Sequence, residues 1–559
     1  MTRTRGERRY FRVECEPHVR IRLKNWFGGV AKARSAAILI SPTDENCREL
    51  AWFLSRYPME MADATRRAIE EGSVRQVERV DSVTKILDGD FQLPLIEPAI
   101  PFRPYQEQAA AALFNTGSLL LTDEFGLGKT GSAIRVMFDE RALPALAVVP
   151  APLTEQWAEE IRKFAPGLRT HILRSSSPYD LADEDGSEPH VIITSYHKLA
   201  AWADHLVGKV RYVVFDECQE LRTGTRGPNP SKKNLAAEIV ASEATYRGGL
   251  TATPVYNYGG EIFNIIDVLT PGFLGSAEEF EREWCYDTGR HAAVTDPRAF
   301  AQHLIRSGMM MRRTRDDVGE HLPALSVMVH EVPSGTDNAF TDVESAAAEM
   351  ARLVLDSSKA AFERGRAGRH LDTLLRQATG IAKAPGVAAL VRLVASEGEK
   401  VVLFGWHRAV YDLWAELLED LEPAWYTGTE SVKKKREGVK RFVDGDCQLL
   451  IMSLRSGLGL NRLQEVCATA VHGELDWSPG VHEQCNCRLH RPGQKRPVFA
   501  HYAITDSGSD PVVSDVLGIK RGQVEGIRDP DGAKVVENKL DPEHIKRLAR
   551  DYLARFKQK

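Results

Sequence analysis

The sequence predicts an α/β protein: two consecutive parallel-sheet domains, a small α+β region before them and a charged helical tail after them. Three observations predict this. Short apolar runs rich in Val, Ile and Leu recur between helical patterns, first as SLLLTDE, ALAVVP, HVIITS, YVVFDE and GGLTAT, then as KVVLFG, QLLIMS, TAVHGE and FAHYAI. They lack clean polar alternation, which suits strands buried on both faces of a parallel sheet. A mostly helical stretch, about 336 to 395, separates the two series. Strands alternating with helices build doubly wound α/β domains.

In chain order, residues 1–95 mix strand-like AAILISP with helical CRELAWFLSRYPMEMADATRRAIEEG. Residues 1–24 carry eight Lys/Arg against three Glu, which reads either as a solvated terminus or as a DNA-contacting arm. The proline-spaced LPLIEPAIPFRP reads as a linker. The first α/β domain is expected over 100–330, a helical linker or protrusion over 331–385, the second α/β domain over 386–530 and the charged tail over 531–559.

Bulk composition sets bounds. A chain of 559 residues with 43% hydrophobic and 27% charged residues reads as a multidomain globular protein. No apolar run approaches the roughly 18–20 residues that span a bilayer. The N-terminal MTRTRGERRYFRVE has no apolar core behind its basic residues, so it is not a secretory signal. Eight scattered cysteines, with Cys485 and Cys487 too close for a CxxC pair, fit a reducing compartment without a zinc site. A cytoplasmic location in a bacterial, phage or plasmid setting is expected, or a nuclear one in a eukaryote. The net charge of −5 does not advertise nucleic acid, but a groove can be basic while the rest is acidic.

Three motifs carry chemistry. SLLLTDE–FGLG–KTGSAIRVMF has the strand–turn–helix context of a phosphate loop, although Asp123 stands where the strict pattern has glycine. Gly126 and Gly128 would let the backbone approach the phosphates, Lys129 would reach the β- and γ-phosphates, and Thr130 would ligate Mg²⁺. YVVFDECQE ends a strand in Asp216 and Glu217, 87 residues after Lys129, on a strand expected beside the phosphate strand. Asp216 would hold Mg²⁺ and Glu217 would polarise water. In EQCNCRLHRPGQ, Arg488 and Arg491 sit three apart, as on one face of a helical turn. Each could stabilise transferring phosphate; such arginines contribute about 10³–10⁵ in rate in well-studied NTPases.

The ordered series RPYQEQA, DEFGLGKT, VVPAPLTEQWAEEIRKF, ITSYHKL, DECQELR, LTATPVYN, SLRSGLGLN and QCNCRLHRPGQ resembles the motif set of helicase superfamily two, in particular its Swi/Snf branch of double-stranded DNA translocases. GGEIFNIIDVLTPGFLGSAEEFEREW and MMMRRTRDDVGEHLPALSVMV resemble segments after that branch's third motif, and LRQATGIAKAPGVAALVRLVASEGEKVVLFGWH is similar to annealing-helicase-like members. The resemblance covers about 100 to 505. It implies two RecA-like lobes with an ATP cleft between them, ATP and Mg²⁺ as cofactors, and double-stranded or branched DNA as partner.

The family loop carries the acid found here at Asp123, so the resemblance assigns Asp123, Gly126, Leu127, Gly128, Lys129 and Thr130 to the nucleotide, with Gln106 at the adenine edge. Arg488 and Arg491 match its arginine fingers. Thr251, Thr253, Ser456, Gly457 and Gln484 match coupling positions. Gln219, where the family has His, could still bond across to Thr251–Thr253 but carries no charge; Ala252 replaces the family's glycine. Thr194, Ser195, Tyr196 and Arg222 are DNA candidates in the first lobe, and Trp406 and His407 in the second, where ordinary packing at a strand end is the competing reading for the last two. The basic KKKREGVKRF reads as a solvated helix face or a DNA contact. Asn461 to Gln484 leaves little room for a strand-separating wedge, which favours an intact duplex track. The alternatives are a strand-separating DNA or RNA helicase and a catalytically inactive DNA-binding scaffold.

Overall fold

The structure, a computed structural model, describes residues 10–30, 37–183, 185–225, 230–254, 260–287, 292–319, 321–334, 344–455, 460, 462–514, 548–550 and 553. The described residues form two compact units, divided between Val318 and Gly319.

The first unit opens with β1 (Phe11–Glu14) paired antiparallel with β2 (Ala37–Ile40), beside helices Asp44–Arg56 and Asp63–Leu87. Leu23, Phe27, Ile38, Leu50 and Phe53 form a core of this region's own. It docks on the rest of the unit through polar contacts: the Ser41 hydroxyl meets Glu279 at 2.6 Å, and Arg79 Nε donates to the Ser307 carbonyl at 2.7 Å.

The main sheet uses β3 (Ser118–Leu121), β4 (Ala145–Val149), β5 (Thr170–Ile172), β6 (Val191–Ser195), β7 (Tyr212–Asp216) and β8 (Tyr246–Leu250). After a hairpin of β9 (Cys285–Asp287) and β10 (Ala292–Val294), it adds β11 (Met310–Met311). The order is β11-β3-β8-β7-β4-β6-β5, with every pairing parallel. All five expected apolar runs are strands. The acid strand β7 is not beside the phosphate strand β3, however: β8 lies between them and pairs with both.

The second unit holds β12 (Leu325–Glu331), β13 (Val401–Gly405), β14 (Ala424–Tyr426), β15 (Leu449–Ser453), β16 (Thr469–His472) and β17 (Val498–Ile504), ordered β12-β17-β16-β13-β15-β14 and all parallel. The boundary expected at 330 falls earlier, because β12 pairs with β17 along all its seven residues. Nor does a separate helical piece end at 385. Helix Ala361–Ser396 runs through that point, and its Ala384, Val387, Val391 and Ala395 pack against Val401, Leu403, Trp414 and Val471. Its stretch Phe362–Ser396 is long and apolar enough to cross a bilayer by length and composition, contrary to the expectation, but most of its apolar window is buried within the unit. Of the tail expected over 531–559, only 548–550 and 553 are described; Leu548 and Ala549 pack with Val354 and Leu371.

Candidate nucleotide site

After β3 the chain turns through 122–128 at the carboxyl edge of the sheet and starts helix Lys129–Val136, the location where parallel α/β sheets bind ligands and where free helix N–H groups point outward. Gly126 (φ 90°) and Gly128 (φ 68°) adopt left-handed backbone that suits glycine. Space reinforces this at Gly128 and Gly131, where an added Cβ would lie 2.9 and 2.6 Å from Gln106 Nε2. Gln106 is buried, donates from Nε2 to the Gly128 carbonyl (3.0 Å) and accepts at Oε1 from the Arg103 N–H (2.9 Å). It therefore shapes the loop, and each end of its amide retains hydrogen-bonding capacity.

Lys129 folds back on the loop, its Nζ donating to the carbonyls of Asp123 (2.8 Å) and Glu124 (3.3 Å). Burial pulls its pKa below the ordinary lysine value, opposed by Asp123, Glu217 and Asp216. Thr130, half-buried, is the next helical residue. Two expected nucleotide contacts change meaning. The Asp123 side chain is fully buried and paired with Arg313 (2.6 Å), and the Leu127 side chain is core packing. Neither side chain faces a ligand; only their backbone groups remain for that task.

At the end of β7, Asp216 Oδ2 accepts from Trp157 Nε1–H (2.8 Å) and Oδ1 from the Glu217 N–H (3.0 Å). Burial first, then the Glu217 charge, pushes Asp216 up to about 7. Glu217 is held at φ 49°, a left-handed conformation a non-glycine residue rarely adopts and one that concentrates at functional sites. Its Oε2 accepts from Gln219 Nε2 (2.6 Å). Gln219 thus bonds its near neighbour rather than the Thr251–Thr253 segment. Its buried Oε1 has no partner among the described residues. Thr251 and Thr253 are buried and close on each other, Thr253 N–H to Thr251 Oγ1 at 2.9 Å.

In the second unit, helix Pro479–Asn486 carries half-buried Gln484 and stops before the two arginines. Turns follow instead of the expected helical face: Arg488 N–H bonds the Cys485 carbonyl (3.2 Å) and Gln494 N–H the Arg491 carbonyl (3.0 Å). Arg488 is buried; Arg491 is half-buried, with Nη1 on the Leu460 carbonyl (3.2 Å). Beneath this helix, His472 contacts Asn486 Oδ1 (2.8 Å) and His482 (3.3 Å), and His482 Nε2 accepts from the Asp476 N–H (3.0 Å). Burial pushes His472 down to about 3 and His482 to about 4, so both are neutral at pH 7. Ser456 and Gly457 lie outside the described residues.

The expected DNA contacts need correction. Thr194, Ser195 and Tyr196 are buried, at 0%, 5% and 2% exposure, the first two because β6 is covered on both faces and Tyr196 at the start of the helix that follows. Tyr196 instead donates its hydroxyl to the Asp216 carbonyl (2.8 Å). Arg222 bonds the Gln219 carbonyl (3.0 Å) and lies 4.0 Å from Glu261. His407 Nδ1 is bound to Glu474 (2.6 Å). Trp406 is exposed, with the Arg455 guanidinium 5.1 Å from its ring centroid. Sequence reading missed Trp157, Arg312, Arg313, Arg315 and Glu474, whose roles depend on partners far along the chain.

The chain is similar to several known proteins. A Drosophila melanogaster SWI/SNF-related matrix-associated actin-dependent regulator of chromatin subfamily A-like protein 1 is 24% identical over 448 residues, 77% of this chain and 56% of that protein. The human DNA annealing helicase and endonuclease ZRANB3 is 26% identical over 447 residues, 76% of this chain and 40% of that protein. The chain thus spans about half the length of the curated relatives it matches. A Sulfolobus solfataricus SWI2/SNF2 ATPase core in complex with dsDNA superposes with a TM-score of 0.38 at 22% identity, covering 79% of this chain and 96% of that one, and a superposition at that score adds nothing to the assignment. The SNF2-related domain matches residues 46–354, more than half of the chain, and the chain belongs to that family.

Proposed function

We propose that this protein hydrolyses ATP to move along, or remodel, double-stranded DNA. The observation that carries the proposal is the meeting of Lys129, Asp216 and Glu217 in one electrostatic neighbourhood at the carboxyl edge of the first sheet, within an SNF2-related domain.

The donor set fits ATP with a divalent cation. The left-handed glycines expose loop backbone, Lys129 supplies a cation, and Asp216 is a half-buried carboxylate that a metal would keep ionised. Thr130 and Asp216 would hold Mg²⁺, which neutralises phosphate charge when bound. Lys129 would exchange its two loop carbonyls for phosphate oxygens. Glu217, fixed by Gln219, would orient the attacking water and accept its proton. Gln106 would use its remaining amide capacity on the adenine. Arg488 and Arg491 would supply positive charge from the second unit. Thr251, Thr253, Ser456, Gly457 and Gln484 would couple nucleotide state to DNA, and Trp406 is the DNA candidate whose side chain is exposed.

A duplex track is favoured over strand separation. Residues 462–484 are taken up by helix Leu463–Val466, β16, the start of helix Pro479–Asn486 and their short connections, which leaves no wedge hairpin there. Phosphate release should rise with duplex DNA more than with single-stranded DNA or RNA, and Lys129→Ala should abolish it. Stimulation by single strands alone would favour a strand-separating helicase. No stimulated release at all would favour an inactive DNA-binding scaffold.

A further inference from the structure

We infer that Arg313 is a positioning residue of the phosphate loop, with Asp123 as its dedicated counter-ion. The inference rests on the reading of 123–130 as the ATP site.

β11 lies parallel to β3 and carries the sheet past it. Thr122 N–H donates to the Met311 carbonyl (2.8 Å) and Glu124 N–H to the Arg313 carbonyl (2.9 Å). Three arginines then take the loop residue by residue. Arg312 Nη1 donates to the Thr122 carbonyl (2.9 Å). Arg313 grips both Asp123 oxygens, from Nε (3.1 Å) and Nη2 (2.6 Å), and its N–H adds a third bond to Oδ1 (3.0 Å). Arg315 pairs with Glu124 (2.9 Å) and donates to the Phe125 carbonyl (2.7 Å). Each residue from 122 to 125 is thus held, Asp123 through its carboxylate and the other three through their backbone.

Arg313 reaches further than the other two. Its Nη1 donates to the Tyr105 carbonyl and to Gln108 Oε1 (3.0 Å), on the helix Pro104–Thr116 that carries Gln106. One guanidinium therefore ties together the first residue of the loop, the helix bearing the adenine candidate and the strand β11. The Asp123 carbonyl receives Lys129 Nζ at 2.8 Å, closer than the Glu124 carbonyl at 3.3 Å, so the residue Arg313 holds also helps park the phosphate-binding lysine. A planar fork suits this task because two parallel bonds fix orientation as well as distance.

The pairing also explains an acid where the strict loop pattern has glycine. Asp123 is absent from the residues with positive φ, so its backbone does not need glycine. Its side chain is wholly buried, which calls for a paired partner.

The test compares Arg313→Lys, which keeps the charge and loses the fork, with the neutral double variant Asp123→Asn/Arg313→Gln, which leaves no unpaired charge. Circular dichroism and duplex-DNA affinity check that each is folded. The expected result is an ATP KM raised tenfold or more in the double variant and at least threefold in Arg313→Lys, with kcat lowered less than threefold. Should KM stay within twofold of wild type in either folded variant, the positioning role is overturned. Lys129→Ala runs alongside: normal turnover in that variant would remove the ATP-site reading itself rather than the role of Arg313.

Discussion

Lowering the pH from 7.5 to 5.5 should destabilise the second unit by about 3 kcal/mol through His472 and His482 alone. Both side chains are buried, at 0% and 4% exposure, and burial depresses them to about 3 and about 4 from 6.5. Depressed histidines bind protons in the unfolded chain first. Their contribution is intact above about pH 6.5 and is lost as pH falls toward the folded values. Each costs about 1.4 kcal/mol at pH 5.5 relative to pH 7.5, since only the unfolded form titrates in that window. The figure is therefore insensitive to whether a folded value is 3 or 4. Urea denaturation followed by tryptophan fluorescence, on wild type and on His472→Gln/His482→Gln, measures it, because subtracting the two pH dependences removes every other titrating group. An equal loss of stability in both proteins between pH 7.5 and 5.5 would refute the reasoning. The consequence reaches the site, since the helix leading to Arg488 contains His482 and bonds His472 through Asn486.

Three further outcomes follow from packing and charge. Gly131→Ala places a Cβ 2.6 Å from Gln106 Nε2 and should force that amide off the Gly128 carbonyl; we expect a loss of about 1–3 kcal/mol in a thermal melt and a higher KM for ATP, and an unchanged KM would contradict the loop-holding role of Gln106. Lys383→Met removes the cation 2.7 Å from buried Asp510 and should cost about 3–5 kcal/mol in chemical denaturation, with much of that recovered in Lys383→Met/Asp510→Leu. Glu474→Gln weakens the carboxylate bonded to His407 Nδ1 (2.6 Å) and to the N–H groups of Trp406 (2.6 Å) and His407 (2.9 Å); a loss of about 1.5–3 kcal/mol is expected in the same assay.

Most strands that were legible in the sequence are those buried on both faces, such as β4 with every residue buried. β11 escaped notice because two residues, Met310–Met311, carry no periodicity. β12 escaped because most of its residues, including Val327 at 60% and Val329 at 62% exposure, are uncovered at the sheet's edge and do not form a buried run. At the site, residue types were readable and partners were not. Asp123 stood out as an irregularity, but its counter-ion lies 190 residues downstream, and no local spacing announces it. Thr194 to Tyr196 had the composition of a phosphate grip; burial turned the tyrosine hydroxyl toward the Asp216 carbonyl instead. Gln219 was expected to bond across to Thr251–Thr253, but the 3-10 turn Cys218–Leu221 brings it within 2.6 Å of Glu217 instead.

The central claim is motion along duplex DNA driven by ATP at Lys129, and displacement of a third strand from a DNA triplex tests it most directly, because only travel along an intact duplex removes that strand. The account predicts displacement with ATP and Mg²⁺, and none with a non-hydrolysable analogue or with Lys129→Ala. Duplex-stimulated ATP hydrolysis that leaves the third strand in place would contradict it.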